Sequence, residues 1–218
     1  MHLSGIVVFP GTNCEFDVAE SIDKAGGISQ LIWHDTTDLS KFDSIVIAGG
    51  FAHGDYLRPG AIAKFSPVMS SIERFANDGG TVVGICNGFQ VLTEVGLLPG
   101  ALQKNDSLTF ICKNVEIVVS SNFSPLTKNI EIGTELLIPI NHFSGNFTVD
   151  SETLKVLEDS GRVVFRYKSN PNGSTASIAG ISNETGNVVG LMPHPERASD
   201  ILLGSEDGLR LLKNLILI

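Results

Sequence analysis

The segment Val82-Val83-Gly84-Ile85-Cys86-Asn87-Gly88-Phe89-Gln90 leaves a chain few ways to fold. An apolar, β-branched run stops at one cysteine with a glycine two positions to either side, and a helical pattern starts at once. This is the spacing of a nucleophile elbow, with sulfur in place of oxygen. The strand turns sharply into a helix, the apex side chain is pushed into the open, and glycines relieve the crowding of so tight a turn. The helix aims its free N–H groups and positive end at the apex, which favours a thiolate. The competing reading is a cysteine buried at a strand end, where it acts as a small hydrophobe. A catalytic reading requires a base, a group to orient it and an oxyanion hole elsewhere in the chain.

The 218 residues suffice for one α/β domain with a full core, expected over 1–218. Hydrophobic residues make up 42%, which excludes a disordered chain. No apolar run is long enough to span a membrane, and the N-terminus lacks the pattern of a signal peptide. The three cysteines, Cys14, Cys86 and Cys112, are widely spaced and form no CxxC. That argues against a disulfide framework or a zinc site and points to the reducing cytoplasm, with no metal. A net charge of −9 and no basic stripe argue against nucleic acid as a partner.

The first half alternates strand and helix, which predicts a parallel sheet with helical crossovers. Strands are expected over 6–9, 28–33 and 45–48, and a first helix capped by Thr12 or Asn13 with Phe16, Ala19, Ile22 and Ala25 inward. A helix over 61–77, interrupted near Pro67, precedes the elbow strand, and the elbow helix runs from 87 to about 95. In such sheets ligands sit beyond the carboxyl ends of the strands, where both Gly49-Gly50 and Cys86 fall. The second half reads as strands over 107–119, 130–140, 163–167, 174–181 and 188–192, then a helix over 205–215. These are expected to pair antiparallel, extending the sheet or forming a small second layer.

A base appears in Met192-Pro193-His194-Pro195-Glu196-Arg197. The prolines brace an extended backbone, in which residues two apart project together, so Glu196 can orient His194. Cys86, His194 and Glu196 then supply nucleophile, general base and orienter. Taken alone, His194 and Glu196 also suit a solvated loop. The oxyanion hole is expected from the amide of Asn87 and from the Gly49-Gly50-Phe51 turn, where Gly50 and Phe51 offer N–H groups. An ordinary strand-ending turn is the other reading of that Gly-Gly pair.

Ile47-Ala48-Gly49-Gly50, Gly84-Ile85-Cys86-Asn87-Gly88 and Pro193-His194-Pro195-Glu196 resemble the three signatures of the triad (class I) glutamine amidotransferases. Phe9-Pro10-Gly11-Thr12-Asn13-Cys14, Gly54-Asp55-Tyr56-Leu57-Arg58 and Leu203-Gly204-Ser205-Glu206-Asp207-Gly208 narrow the resemblance to the glutaminase subunits of phosphoribosylformylglycinamidine synthases, of purine biosynthesis. The resemblance covers essentially the whole chain. It implies a flavodoxin-like three-layer α/β/α fold with a mainly parallel central sheet. It implies hydrolysis of L-glutamine through a γ-glutamyl thioester on Cys86. The ammonia would pass to a separate synthetase subunit that uses ATP and Mg, with a small third subunit in some complexes and no cofactor in this chain. It also implies substrate contacts at Gln90, Asn141 and His142. One stretch departs: Asn141-His142-Phe143-Ser144-Gly145 stands where relatives usually read Ala-His-Gly-Glu-Gly. His142 equally suits a structural role at a strand end. Asp55 and Arg58 read either as an exposed ion pair or as contacts to the synthetase subunit. A freestanding cysteine hydrolase of peptidase or γ-glutamyl hydrolase type would use the same elbow.

Overall fold

The computed structural model describes residues 1–217; Ile218, the last residue of the expected domain, lies outside the described residues. In chain order the elements are β1 (Leu3–Val8), α1 (Glu15–Ala25), β2 (Ile28–Trp33), β3 (Ser44–Ile47), α2 (Pro67–Asn77), β4 (Thr81–Ile85), α3 (Asn87–Glu94), β5 (Ala101–Gln103) and β6 (Ile111–Val119). Then come β7 (Glu135–His142), β8 (Asn146–Thr148), α4 (Ser151–Asp159), β9 (Val163–Tyr167), β10 (Ile178–Ser182), β11 (Val188–Leu191) and α5 (Asp207–Ile216).

Among the described residues nine strands form one sheet in the order β2-β1-β3-β4-β11-β10-β9-β6-β7. The first five are parallel. From β11 outward every pairing is antiparallel. The second half therefore extends the sheet, while β5 and β8 make a separate two-stranded sheet. β3, β4 and β11 are buried along their whole length. Such strands read as continuous apolar runs because both faces are covered. α1 packs with α5, and α3 packs on β3, β4 and β11. The fold is flavodoxin-like, with helices flanking a mixed, mostly parallel sheet. Among the described residues no helix is long and apolar enough to cross a membrane.

The strand order reverses between β1 and β3, since β2 lies to one side of β1 and β3 and β4 lie to the other. Ligand crevices form at such a switch point, beyond the carboxyl ends. Here the ends of β1, β3, β4 and β11 converge. α3 can lie close to the sheet because Gly84 and Gly88 carry no side chain: a Cβ on Gly88 would stand 2.0 Å from the carbonyl oxygen of Ile47.

Several local expectations are corrected. α1 has Cys14 at its N-cap position, with no side-chain cap from Thr12 or Asn13, and buries Val18, Ser21 and Ile22. Phe16 is exposed. Its acidic first turn and Gly26 in the left-handed region still set its two ends. β6 starts at Ile111 and β7 at Glu135, later than expected. Residues 175–177 form a 3-10 turn before β10. α4 escapes the periodicity because Leu157 is its one fully buried residue; Asp150 caps it, accepting from the N–H groups of Glu152 and Thr153.

Candidate active site

Cys86 sits between β4 and α3 at φ 50°, ψ −102°, a conformation rare for any residue but glycine. Such strain persists where the surroundings hold it, and here they do. The Cys86 N–H donates to the Leu191 carbonyl at 2.8 Å, tying the apex to β11, and the sulfur points to the Asn141 carbonyl at 3.7 Å. The register sets Leu191 opposite Ile85, so the chain leaving β11 passes beside the elbow.

That chain carries His194 and Glu196. Nδ1 of His194 and a Glu196 carboxylate oxygen lie 2.6 Å apart, and both side chains are buried. The backbone between them is not extended as expected. Residues 195–198 form a 3-10 turn with Pro195 in its first position. The Arg197 N–H closes the turn on the His194 carbonyl at 3.1 Å. The turn, and not alternation, brings the two side chains together. Ser21 and Ser199 donate their hydroxyls to the Glu196 carbonyl at 3.0 and 2.9 Å and anchor the turn to α1. Burial alone would lower the His194 pKa. The charge of Glu196, then that of the Cys86 sulfur, overrides burial and raises it well above the usual histidine value. The imidazole is thus suited to hold a proton, and its Nε2 has no hydrogen-bond partner among the described residues.

The expected oxyanion donors differ in readiness. Asn87 opens α3, so its N–H has no acceptor within the helix. Gly50 has φ 142°, open to glycine and strained for other residues. The Phe51 N–H is already engaged, donating to the Gly11 carbonyl at 3.0 Å. The Asn87 side chain fastens this loop to the elbow by accepting from the Ala52 N–H at 2.9 Å.

A cavity of about 770 Å³ opens over these groups, lined by Cys14, Cys86, His194, Gln90, Asn141 and His142 among others. Gln90 is held at both ends: it accepts from Asn87 at 2.8 Å and donates to the Ser144 carbonyl at 2.7 Å. His142 is buried and shares a 3.0 Å hydrogen bond through Nδ1 with Asn105. Burial, then the charge of His194, lowers its pKa to about 4, so it stays neutral. Its ring lies over Gly145, where any Cβ would stand 2.2 Å from it. Phe143 is partly exposed at the cavity wall, while Ser144 is buried.

The profile of the CobB/CobQ-like glutamine amidotransferase domain matches residues 4–206. The chain belongs to this family. Among similar curated proteins, the phosphoribosylformylglycinamidine synthase subunit PurQ of Lacticaseibacillus casei is 51% identical, over 98% of this chain and 94% of that one. The protein of the same name from Rubrobacter xylanophilus is 51% identical, over 97% and 96%. A chain in the structure of PurLQS from Thermotoga maritima superposes with a TM-score of 0.91 at 41% identity, covering 98% of this chain and 97% of that one.

Two features of this amidotransferase site were missed in its sequence. Arg58 does not pair with Asp55. Its guanidinium makes a bidentate contact with Glu94 on α3, at 2.6 and 2.7 Å. Asp55 instead turns inward and accepts from the Asn87 side chain at 3.0 Å. Cys14 and Arg197 also meet beside the His194–Glu196 pair. Cys14 follows the Pro-Gly turn after β1, at the carboxyl end of a parallel strand, and that position was the available signal. The sulfur, an imidazole nitrogen and a carboxylate oxygen lie within 4.8 Å of one another. The cluster reads as a hydrogen-bonded row and not a cation site, because Arg197 brings a positive charge to the sulfur and Nδ1 is spent on Glu196.

Burial raises the Asp55 pKa to about 6, against the opposing hydrogen bonds from Asn87 and the Gly60 N–H. The folded state then binds the proton more tightly than the unfolded chain, whose Asp titrates near ~3.9. Stability from this group is present below the unfolded pKa and lost as pH rises through about 6. Asp55→Asn keeps the acceptor oxygen and removes the charge. It is expected to stabilise the chain at pH ~7.5 by about 1 kcal/mol, a figure reduced for solvent screening, and to have no effect near pH ~4. Thermal unfolding at the two pH values checks this; an equal change at both would show that the charge is not the cause.

Proposed function

We propose that this chain is the glutaminase subunit of a phosphoribosylformylglycinamidine synthase. The observation that carries the reading is the strained Cys86 elbow beside the buried His194–Glu196 pair, on a chain similar over nearly its whole length to the curated subunits. Cys86 attacks the side-chain amide carbon of glutamine and forms a tetrahedral oxyanion. Asn87 supplies one N–H to that oxyanion, and the Gly50–Phe51 turn supplies the second. His194, held as a cation by Glu196, protonates the departing nitrogen, and ammonia leaves. His194 then takes a proton from water, which cleaves the γ-glutamyl thioester to glutamate and restores the thiol. Gln90, Asn141 and His142 line the substrate side of the cavity, with neutral His142 as a hydrogen-bonding group and not a charge.

The ammonia goes to a synthetase subunit that uses ATP and Mg to convert formylglycinamide ribonucleotide to the amidine, with a small third subunit completing the complex. We place the whole chain, 1–218, in one amidotransferase domain acting in the cytoplasm. The exposed loop bearing Tyr56, Leu57 and Arg58 is assigned to contact with the synthetase subunit. The Arg58–Glu94 pair ties that loop to the elbow helix, and Asn87 ties it to the oxyanion turn. Docking can therefore reach the Phe51 amide that Gly11 now holds.

Glutamate release is expected to be slow from the isolated chain and to rise about 10-fold or more when synthetase subunit, ATP and acceptor nucleotide are added, since one oxyanion donor is worth about that or more. No release even with all of these would overturn the assignment. Equal release with and without the partner would favour a freestanding hydrolase. Arg58→Ala is expected to weaken complex formation, and unchanged assembly and coupling would remove the loop from the interface.

A further inference from the structure

We propose that Cys14 is a positioning residue for this reaction: its buried sulfur, with Arg197 seated on it, closes the outer side of the His194–Glu196 pair and keeps the imidazole aimed at Cys86. The proposal rests on the glutaminase reading above.

Cys14 stands at the carboxyl end of β1, at the start of α1, and is 1% exposed. Its N–H reaches the Gly49 carbonyl at 3.3 Å, which brings the ends of β1 and β3 together. A Cβ on Gly49 would lie 2.8 Å from Cε1 of His194 and 3.2 Å from the Cys14 sulfur. The sulfur and the ring thus border one small space that only glycine leaves free. The sulfur donates to the Asn13 side-chain oxygen at 3.1 Å and accepts from an Arg197 terminal nitrogen, also at 3.1 Å. Asp17 steadies the guanidinium from its other side at 3.5 Å. A cysteine acting only as a small hydrophobe would not sit at hydrogen-bond distance from both a cation and an amide.

The second oxygen of Glu196, Oε2, is buried and has no hydrogen-bond partner among the described residues. A guanidinium one residue along the chain is a natural partner for it. The Cys14 sulfur holds that guanidinium elsewhere, so the carboxylate charge stays committed to Nδ1 of His194. If Arg197 were free to share Glu196, the imidazolium would be less well supported. The Cys14 sulfur also lies beside the ring, across the space at Gly49. Burial opposes protonation of His194, the charges of Glu196 and Cys86 favour it, and the Cys14 sulfur adds to them.

The test uses Cys14→Ala and Cys14→Ser in the assembled complex, with glutamate release followed across pH. In Cys14→Ala the alkaline limb of kcat/KM is expected to move down by about half a unit to one unit, so that the loss reaches about 3- to 10-fold on that limb and shrinks toward neutral pH. Cys14→Ser keeps an acceptor for Arg197 and is expected to recover most of the loss. An unmoved limb in Cys14→Ala, or equal damage in both variants without a shift, overturns the proposal, and thermal unfolding of each variant identifies damage from misfolding. Alkylation of Cys86 by iodoacetamide, read by peptide mass spectrometry, tests the same point without glutamine turnover. It is expected to slow several-fold at neutral pH in Cys14→Ala, and an unchanged rate counts against the role. A wild-type complex that releases no glutamate defeats the glutaminase reading instead, and the alkylation result still decides the role of Cys14.

Discussion

Cys86→Ala is expected to lower glutamate release from the assembled complex by about 10⁴-fold or more, because removing the nucleophile of a triad disables the unit as a whole. What remains would come from substrate binding and the oxyanion donors. The fold should tolerate the change. Among the described residues the sulfur has one hydrogen-bonding contact, a long one to the Asn141 carbonyl at 3.7 Å, and the elbow is held by backbone bonds such as Cys86 N–H to Leu191. The positive φ of 50° is as costly for alanine as for cysteine, so the unfolding free energy should change by less than about 1 kcal/mol. Rapid acid quench of the wild type with glutamine, followed by peptide mass spectrometry, should find a γ-glutamyl adduct on Cys86. Finding it on Cys14, or most of the activity in Cys86→Ala, would move the nucleophile elsewhere.

Gly88→Ala is expected to cost about 3–4 kcal/mol in stability and to remove the activity as well. The added carbon would stand 2.0 Å from the Ile47 carbonyl oxygen and 2.8 Å from its carbonyl carbon. Ile47 is a backbone position of β3, paired with β1 on one side and β4 on the other, so the strand cannot give way. α3 must move out. It carries the Asn87 amide, Phe89 against the ring of Phe147 at 5.8 Å, and Gln90, so the move disturbs core and site together. For a chain of this size the loss corresponds to roughly 10 °C in Tm. Gly96→Ala is the control, because among the described residues nothing beyond its own chain neighbours lies within 4 Å of that Cβ and only its φ of 80° resists the change. A Gly88→Ala melting point within a degree or two of the wild type would show that α3 does not depend on this close approach.

The parts of the site legible in the sequence are those whose chemistry lies between near neighbours. Gly84-x-Cys86-x-Gly88 announces a strand-to-helix turn, in which Gly84 avoids a local clash with the Gly88 backbone while Gly88 makes room for the Ile47 carbonyl of β3. Pro193-His194-Pro195-Glu196 announces a braced imidazole and carboxylate, although the bracing is a 3-10 turn and not the extended backbone expected. The α/β alternation of the first half is equally local, since each helix-strand unit carries its own periodicity and its own glycine stop. α4 escaped because a helix that buries one residue fully leaves no apolar stripe to see.

The sequence by itself determined the elbow, the His-Glu pair and the parallel character of the first half, all set by steric and hydrogen-bonding demands within a few residues. The tertiary structure alone decided that β11 lies beside β4, which carries His194 to Cys86. It also decided that Arg58 pairs with Glu94, that Gly11 holds the Phe51 amide, and that Cys14 and Arg197 close the far side of the imidazole. These choices join residues far apart in the chain. They follow from covering both faces of a nine-stranded sheet and from finding a partner for each buried polar group, demands met by the whole molecule at once.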